Sequence, residues 1–112
     1  MKVIIDMYGG DNAPKAPLLG AAMAAKELGV EIVAVGNEVE MRKICEENGI
    51  DGFEFIDAPL VMPVCAEPTE VMKSYKESSL AVGLRALAEG RGDAYVGAGS
   101  TGAIVVGATL IV

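Results

Sequence analysis

Histidine and tryptophan are absent from this chain, cysteine occurs twice, and basic residues are scarce, nine lysines and arginines against sixteen aspartates and glutamates. Each shortage excludes a class of chemistry. Without histidine the segment cannot by itself build a Ser-His-Asp or Cys-His nucleophile pair. Cys45 and Cys65 stand alone, with no CxxC and no histidine nearby, so the residues give neither a zinc site nor a disulfide framework and read as buried thiols. The net charge of −7 repels polyanions, which argues against nucleic acid as a partner. Asp6 interrupts the opening apolar run, which therefore lacks the uninterrupted stretch of a secretory signal, and the chain is expected to be cytosolic.

What is abundant is glycine, fourteen residues, and it falls in informative places. Asp6-Met7-Tyr8-Gly9-Gly10-Asp11-Asn12-Ala13-Pro14 joins an apolar run to a helical pattern. Two glycines there let a backbone approach a ligand without a Cβ in the way, and the helix start beyond presents unpaired N–H groups and a positive dipole end. The guest that suits such a loop is a phosphate. Gly97-Ala98-Gly99-Ser100-Thr101-Gly102 has the GxGxxG spacing. It follows the fourth strand pattern, whereas a dinucleotide fingerprint belongs in the first βα turn with an acidic residue about 20 positions on. A small anion suits this loop better, with a dinucleotide and a purely structural turn as alternatives.

The rest of the chain alternates two periods. Val3 to Met7, Glu31 to Gly36, Phe53 to Asp57 and Ala94 to Val96 read as strands; Pro14 to Leu28, Glu38 to Asn48 and Ser78 to Glu89 read as helices. In the first helix Leu18, Leu19, Ala22, Met23 and Ala25 carry the apolar spacing; in the third, Leu80, Leu84 and Leu87 do. Ala58 to Pro68 is loop, and Thr69 to Glu77 turns polar. The expected fold is therefore α/β, a parallel sheet with helices on both faces in three α/β/α layers, right-handed at each crossover. Ligands of such sheets sit beyond the carboxyl ends of the strands, so both glycine loops should open on one rim. The final apolar stretch, Thr101 to Val112, has no terminator and asks for burial against further protein, so residues 1–112 are expected to be the amino-terminal part of a single, longer domain.

Several candidate residues have two readings. Asp11 or Asn12 can cap the helix that begins near Pro14; alternatively Asn12 donates to an anion or to a carbonyl oxygen gaining charge, while Asp11 orders the loop. Lys73 and Lys76, one helical turn apart, are either solvated surface charges or the cations that neutralise a bound anion. Ser78 and Ser79 can cap the third helix, and Arg42, Lys43 and Arg85 read as solvated helix faces.

These residues resemble the acyl-acyl-carrier-protein:phosphate acyltransferases of bacterial phospholipid synthesis (PlsX). That family opens with a strand and an Asp-x-Met-Gly-Gly-Asp-Asn-Ala-Pro loop, matched here by Asp6, Gly9, Gly10, Asp11, Asn12, Ala13 and Pro14, with Tyr8 in place of the usual methionine. Glu67-Pro68 and Lys76, Ser78 and Ser79 resemble its Glu-Pro and Lys-Asp-Ser-Ser motifs, with Glu77 for aspartate. Ala98, Gly99, Thr101, Gly102 and Ala103 match its Ser-Ala-Gly-Asn-Thr-Gly-Ala, with Ser100 for asparagine.

The resemblance implies a protein about three times longer, homodimeric, with a fold akin to phosphotransacetylase and isopropylmalate dehydrogenase. It implies transfer of a fatty acyl group from acyl carrier protein to inorganic phosphate, giving acyl phosphate for a membrane glycerol-3-phosphate acyltransferase, and hence peripheral membrane association. No cofactor and no metal are implied. Catalytic roles fall to Asn12, Asp11 and Lys76, and phosphate binding to Gly9, Gly10, Gly99, Ser100, Thr101, Gly102 and Lys73. The alternatives are a nicotinamide-dependent dehydrogenase of related fold and a phosphate-binding fragment without turnover.

Overall fold

The computed structural model describes residues 1–8, 14–60, 77–97, 104–105, 107–108 and 111. Among the described residues four strands form one parallel sheet, β1 (Lys2–Asp6), β2 (Glu31–Gly36), β3 (Glu54–Asp57) and β4 (Ala94–Val96), in the order β3-β2-β1-β4. Three helices are described between them, α1 (Lys15–Leu28), α2 (Glu38–Glu47) and α3 (Ser79–Ala88). The expected α/β architecture is observed, and the strand and helix boundaries lie within about two residues of those read from sequence periodicity.

Chain direction explains the layering. The steps from β1 to β2 and from β2 to β3 run the same way across the sheet, and α1 and α2 pack on one face with Met7, Leu18, Ala21, Ile32, Ala34, Met41 and Cys45 as their core. The step from β3 to β4 runs back past β2 and β1, and α3 lies on the other face, over Ile4, Val33, Val35 and Ile56. Reversing direction while keeping one crossover hand moves the connecting helix across the sheet. Covered on both faces, β2 buries Ile32, Val33, Ala34, Val35 and Gly36 in succession, the continuous apolar run of a central parallel strand.

Local signals set the helix ends. Gly29 takes the left-handed conformation (φ 69°) and donates to the Ala25 carbonyl, closing α1. Asn37 accepts from Glu40 N at 3.2 Å and starts α2, and Ser78 accepts from Ala81 N at 3.3 Å and starts α3. Pro14 occupies the α1 N-cap, where its carbonyl accepts from Leu18 N at 3.1 Å and its side chain makes no capping hydrogen bond; Asp11 and Asn12, the expected caps, lie outside the described residues.

One helix face differs from expectation. In α1 the buried residues are Leu18 and Ala21, while Leu19 and Met23 are exposed. Leu18, Ala21 and Ala25 form the i, i+3, i+7 stripe that faces the sheet, and Leu19 and Met23 lie on the next stripe, flanking a concavity shared with the α2–β3 connection. Beside β4, Val3, Ile5, Ala24, Ile32 and Val96 line an apolar groove of about 550 Å³ on the α1 face, and Val96 is half exposed.

Candidate anion site at the strand ends

β1 is the strand from which the chain departs in both directions. Its neighbours are β2 on one side and β4 on the other, with Asp6 opposite Val35 and Ile5 opposite Val96. This is the topological switch point, where connections from adjacent parallel strands leave on opposite faces and open a crevice between them. The glycine loop beginning at Gly9 follows β1, and the loop beginning at Gly97 follows β4. The two strands are hydrogen-bonded neighbours running the same way, so the roots of the two glycine sequences, Tyr8 and Gly97, lie at one rim, as the sequence pattern required.

Asp6 is the polar centre of that rim. It faces α3, and it is buried. Its Oδ1 accepts from the Ser79 hydroxyl at 2.7 Å and from Tyr8 N at 3.0 Å. Burial raises its pKa above the ordinary 3.8, while the Tyr8 and Ser79 donors, which favour the ionised form, act against the rise. Ser79 is itself buried, as is Ser78. The adjacent serines therefore divide two tasks: Ser78 caps α3, and Ser79 reaches across to β1. The bridge pairing Leu60 with Ser78, and the bond from Ser79 N to the Leu60 carbonyl at 2.8 Å, hold this turn against the chain leaving β3.

Tyr8 anchors the other side of the first loop's root. Its ring covers the end of β2 at Gly36, where any Cβ would overlap ring carbons, and its hydroxyl donates to Glu40 Oε1 at 2.6 Å. Burial and then the Glu40 carboxylate push the phenol above its usual range. On β4, Tyr95 lies on the α3 side against Leu80, Ala81 and Leu84. Its hydroxyl is buried and has no hydrogen-bond partner among the described residues, and a Cβ at Gly97 would come within 2.9 Å of it. Burial first, and the Asp6 charge second, push this phenol up as well.

Every residue assigned a catalytic or phosphate-binding role from sequence, Gly9, Gly10, Asp11, Asn12, Lys73, Lys76, Gly99, Ser100, Thr101 and Gly102, lies outside the described residues. What the structure places is their roots: Tyr8 and Pro14 around the first loop, Glu77 after the lysine segment, and Gly97 before the second loop. Asp6, Ser79 and Tyr95 carry no catalytic or binding role on sequence grounds alone. The signal for Asp6 was a carboxylate ending an apolar strand, a position that costs free energy unless the group is hydrogen-bonded.

The other chemistry-bearing residues read as structural. Cys45 is buried, and burial raises its thiol pKa, as expected of an inert core thiol; Cys65 lies outside the described residues. Arg42 pairs with Glu38 at 2.7 Å one helical turn away and lies over the Phe55 ring at 4.5 Å. Among the described residues no cluster of metal-ligating side chains occurs, and no helix is long and apolar enough to cross a membrane.

Fold and rim together define an α/β protein with two glycine-loop connections leaving adjacent strands at the switch point. Residues 1–112 match the family described as fatty acid synthesis protein. A phosphate acyltransferase of Thermotoga neapolitana is 45% identical over 112 residues, covering 100% of this chain and 32% of the relative. Phosphate acyltransferases of Caldicellulosiruptor bescii, 42% identical over 115 residues, and of Clostridioides difficile, 34% over 114, each cover 100% of this chain and 34% of their own length. The chain belongs to the fatty acid synthesis protein family, and it spans about a third of the length of these curated relatives.

Proposed function

We propose that this chain is the phosphate-holding portion of an acyltransferase that moves a fatty acyl group from the thioester of acyl carrier protein to inorganic phosphate. The observation that carries the reading is the departure of both glycine loops from the shared rim of β1 and β4. The relatives named phosphate acyltransferase supply the reaction class.

The chemistry suits a segment without histidine. Phosphate is partly dianionic near neutral pH, and one of its oxygens can attack the thioester carbonyl carbon directly. A tetrahedral oxyanion forms, the C–S bond breaks, acyl phosphate results, and the carrier thiolate takes a proton from solvent. The protein's task is then positioning and electrostatic stabilisation rather than covalent catalysis. Gly9, Gly10, Asn12, Gly99, Ser100, Thr101 and Gly102 are assigned the anion and the developing oxyanion, Lys76 and Lys73 charge neutralisation, and Asp11 ordering of the first loop. In the complete protein these roles extend to a homodimer that delivers acyl phosphate to a membrane acyltransferase.

The test is thiol release from acyl-acyl carrier protein by the full-length protein, followed with and without phosphate. Phosphate-dependent release that falls at least tenfold in kcat/KM on Asn12→Ala and on Thr101→Ala is the expected result. Saturable NAD binding with no phosphate-dependent release would overturn the proposal in favour of a dehydrogenase; phosphate protection in thermal melts without turnover would leave a binding module.

A further inference from the structure

We infer that Asp6 and Ser79 form a positioning latch that sets how tightly the anion is held at the switch point; this rests on the phosphate acyl-transfer reading above. Three observations carry it. Asp6 Oδ1 is a shared acceptor, for the Ser79 hydroxyl at 2.7 Å and for Tyr8 N at 3.0 Å, so one oxygen joins α3 to the residue from which the first glycine loop departs. Ser79 is not needed as a helix cap, because Ser78 performs that task through Ala81 N. Both partners are buried, Asp6 4% and Ser79 1% exposed, so water does not replace the bond when it is lost.

The chain positions on either side of the latch give it a role. Gly9 follows Tyr8 directly, and Lys76 lies two residues before Ser78. Asp6 thus fixes the root of the glycine loop and the end of the lysine-bearing segment relative to each other. A bond between a hydroxyl and a carboxylate is short and stronger than a neutral one, and shielding from water keeps it so. Neither residue needs to touch the substrate: the latch acts through the groups it holds. A loosened latch lets the anion-binding groups sample wrong separations, and the loss is read in phosphate affinity.

Ser79→Ala, Ser79→Thr and Asp6→Ala in the full-length protein test this, with KM measured separately for phosphate and for acyl-acyl carrier protein, and phosphate binding by calorimetry. Ser79→Ala is expected to raise the phosphate KM and Kd about tenfold, to move the carrier-protein KM less than twofold, and to be rescued to within about threefold by Ser79→Thr, which keeps the hydroxyl. Asp6→Ala, which removes the shared acceptor, should raise the phosphate KM as well. The double variant Asp6→Ala/Ser79→Ala should be no worse than the poorer single variant, since the two changes remove one connection. A phosphate KM and Kd for folded Ser79→Ala within twofold of wild type, or fully additive effects, overturns the latch. Should Ser79→Ala not fold, Asp6→Ala carries the test: an unchanged phosphate KM and Kd refutes it. A wild-type protein that binds phosphate but releases no thiol defeats the acyl-transfer reading instead, and the calorimetric arm still decides the latch.

Discussion

The ring of Tyr8 occupies the space that a side chain at Gly36 would fill. A Cβ built at Gly36 would overlap ring carbons of Tyr8 and sit 3.4 Å from the Met41 sulfur, so the end of β2 must be glycine for the residue before Gly9 to lie across it. Gly36→Ala should therefore destabilise the protein by about 1–3 kcal/mol, the usual cost of overpacking a filled site. In a Tyr8→Ala background the same substitution should cost less, because the overlapping ring is gone, with a remaining penalty from the positive φ of 157° that the backbone keeps at Gly36. Urea unfolding of the four members of that cycle checks the expectation; equal penalties in both backgrounds would show that the ring is not the obstacle.

Asp6 gives a pH dependence whose sign follows from burial. Its folded pKa is raised, so the folded state holds this proton at pH values where the unfolded chain, near 3.8, has released it. Stability from this group is greatest below the unfolded value and is lost as pH rises from there through the elevated folded value. Asp6→Asn, which keeps the accepting oxygen and removes the charge, should flatten that part of the stability profile and raise the melting temperature at pH 7. A melting temperature at pH 7 lowered by Asp6→Asn would mean that the Ser79 and Tyr8 bonds to the ionised carboxylate outweigh its desolvation.

The two neighbouring serines should separate cleanly. Ser78 is fully buried and accepts from Ala81 N, so Ser78→Ala removes an N-cap and should cost about 1 kcal/mol of stability. Phosphate affinity should change little, because the bond to Asp6 comes from Ser79. Thermal melts and phosphate titrations of the two alanine variants side by side give the comparison. A Ser78→Ala variant that matched Ser79→Ala in phosphate affinity would show that the whole first turn of α3 has to be intact.

The sequence made the layered order legible because each βα unit carries its own punctuation. Gly29 ends α1 in a left-handed turn, Asn37 and Ser78 start α2 and α3, and the unbroken apolar run of β2 marks a strand covered on both faces. Strand order was not legible in the same way. That β4 returns to lie beside β1 depends on contacts across nearly the whole chain, such as Asp93 N donating to the Lys2 carbonyl at 2.7 Å and Lys2 N to Asp93 Oδ2 at 2.8 Å. Periodicity carries no information about such pairs. The Asp6–Ser79 bond escaped for the same reason, since it joins residues 73 positions apart. The glycine loops were found because glycine at a strand end signals a backbone demand locally, without reference to any partner. The exposed Leu19 and Met23 show the limit of helical spacing: several stripes of an alanine-rich helix can look apolar, and only the sheet decides which is buried.

Tyr95 offers the last expectation, and it concerns a hydroxyl without a partner among the described residues. It is buried, and close enough to Asp6 for that carboxylate to contribute to raising its pKa. A buried, unpaired hydroxyl costs about 1–3 kcal/mol, so Tyr95→Phe should leave stability unchanged or increase it by roughly 1 kcal/mol, in contrast to most changes at a buried aromatic residue. Gly97 is the coupled position, because a Cβ there would lie 2.9 Å from the Tyr95 oxygen and 3.2 Å from its ring. Gly97→Ala should destabilise the wild type by on the order of 1–3 kcal/mol and the Tyr95→Phe variant by less, since deleting the oxygen relieves the closer of the two contacts. Denaturant melts of the four proteins measure both effects. A loss of more than about 1 kcal/mol on Tyr95→Phe alone would show that the hydroxyl does bond within the folded protein, and Gly97→Ala penalties that were identical in the two backgrounds would place the constraint at Gly97 in its own backbone.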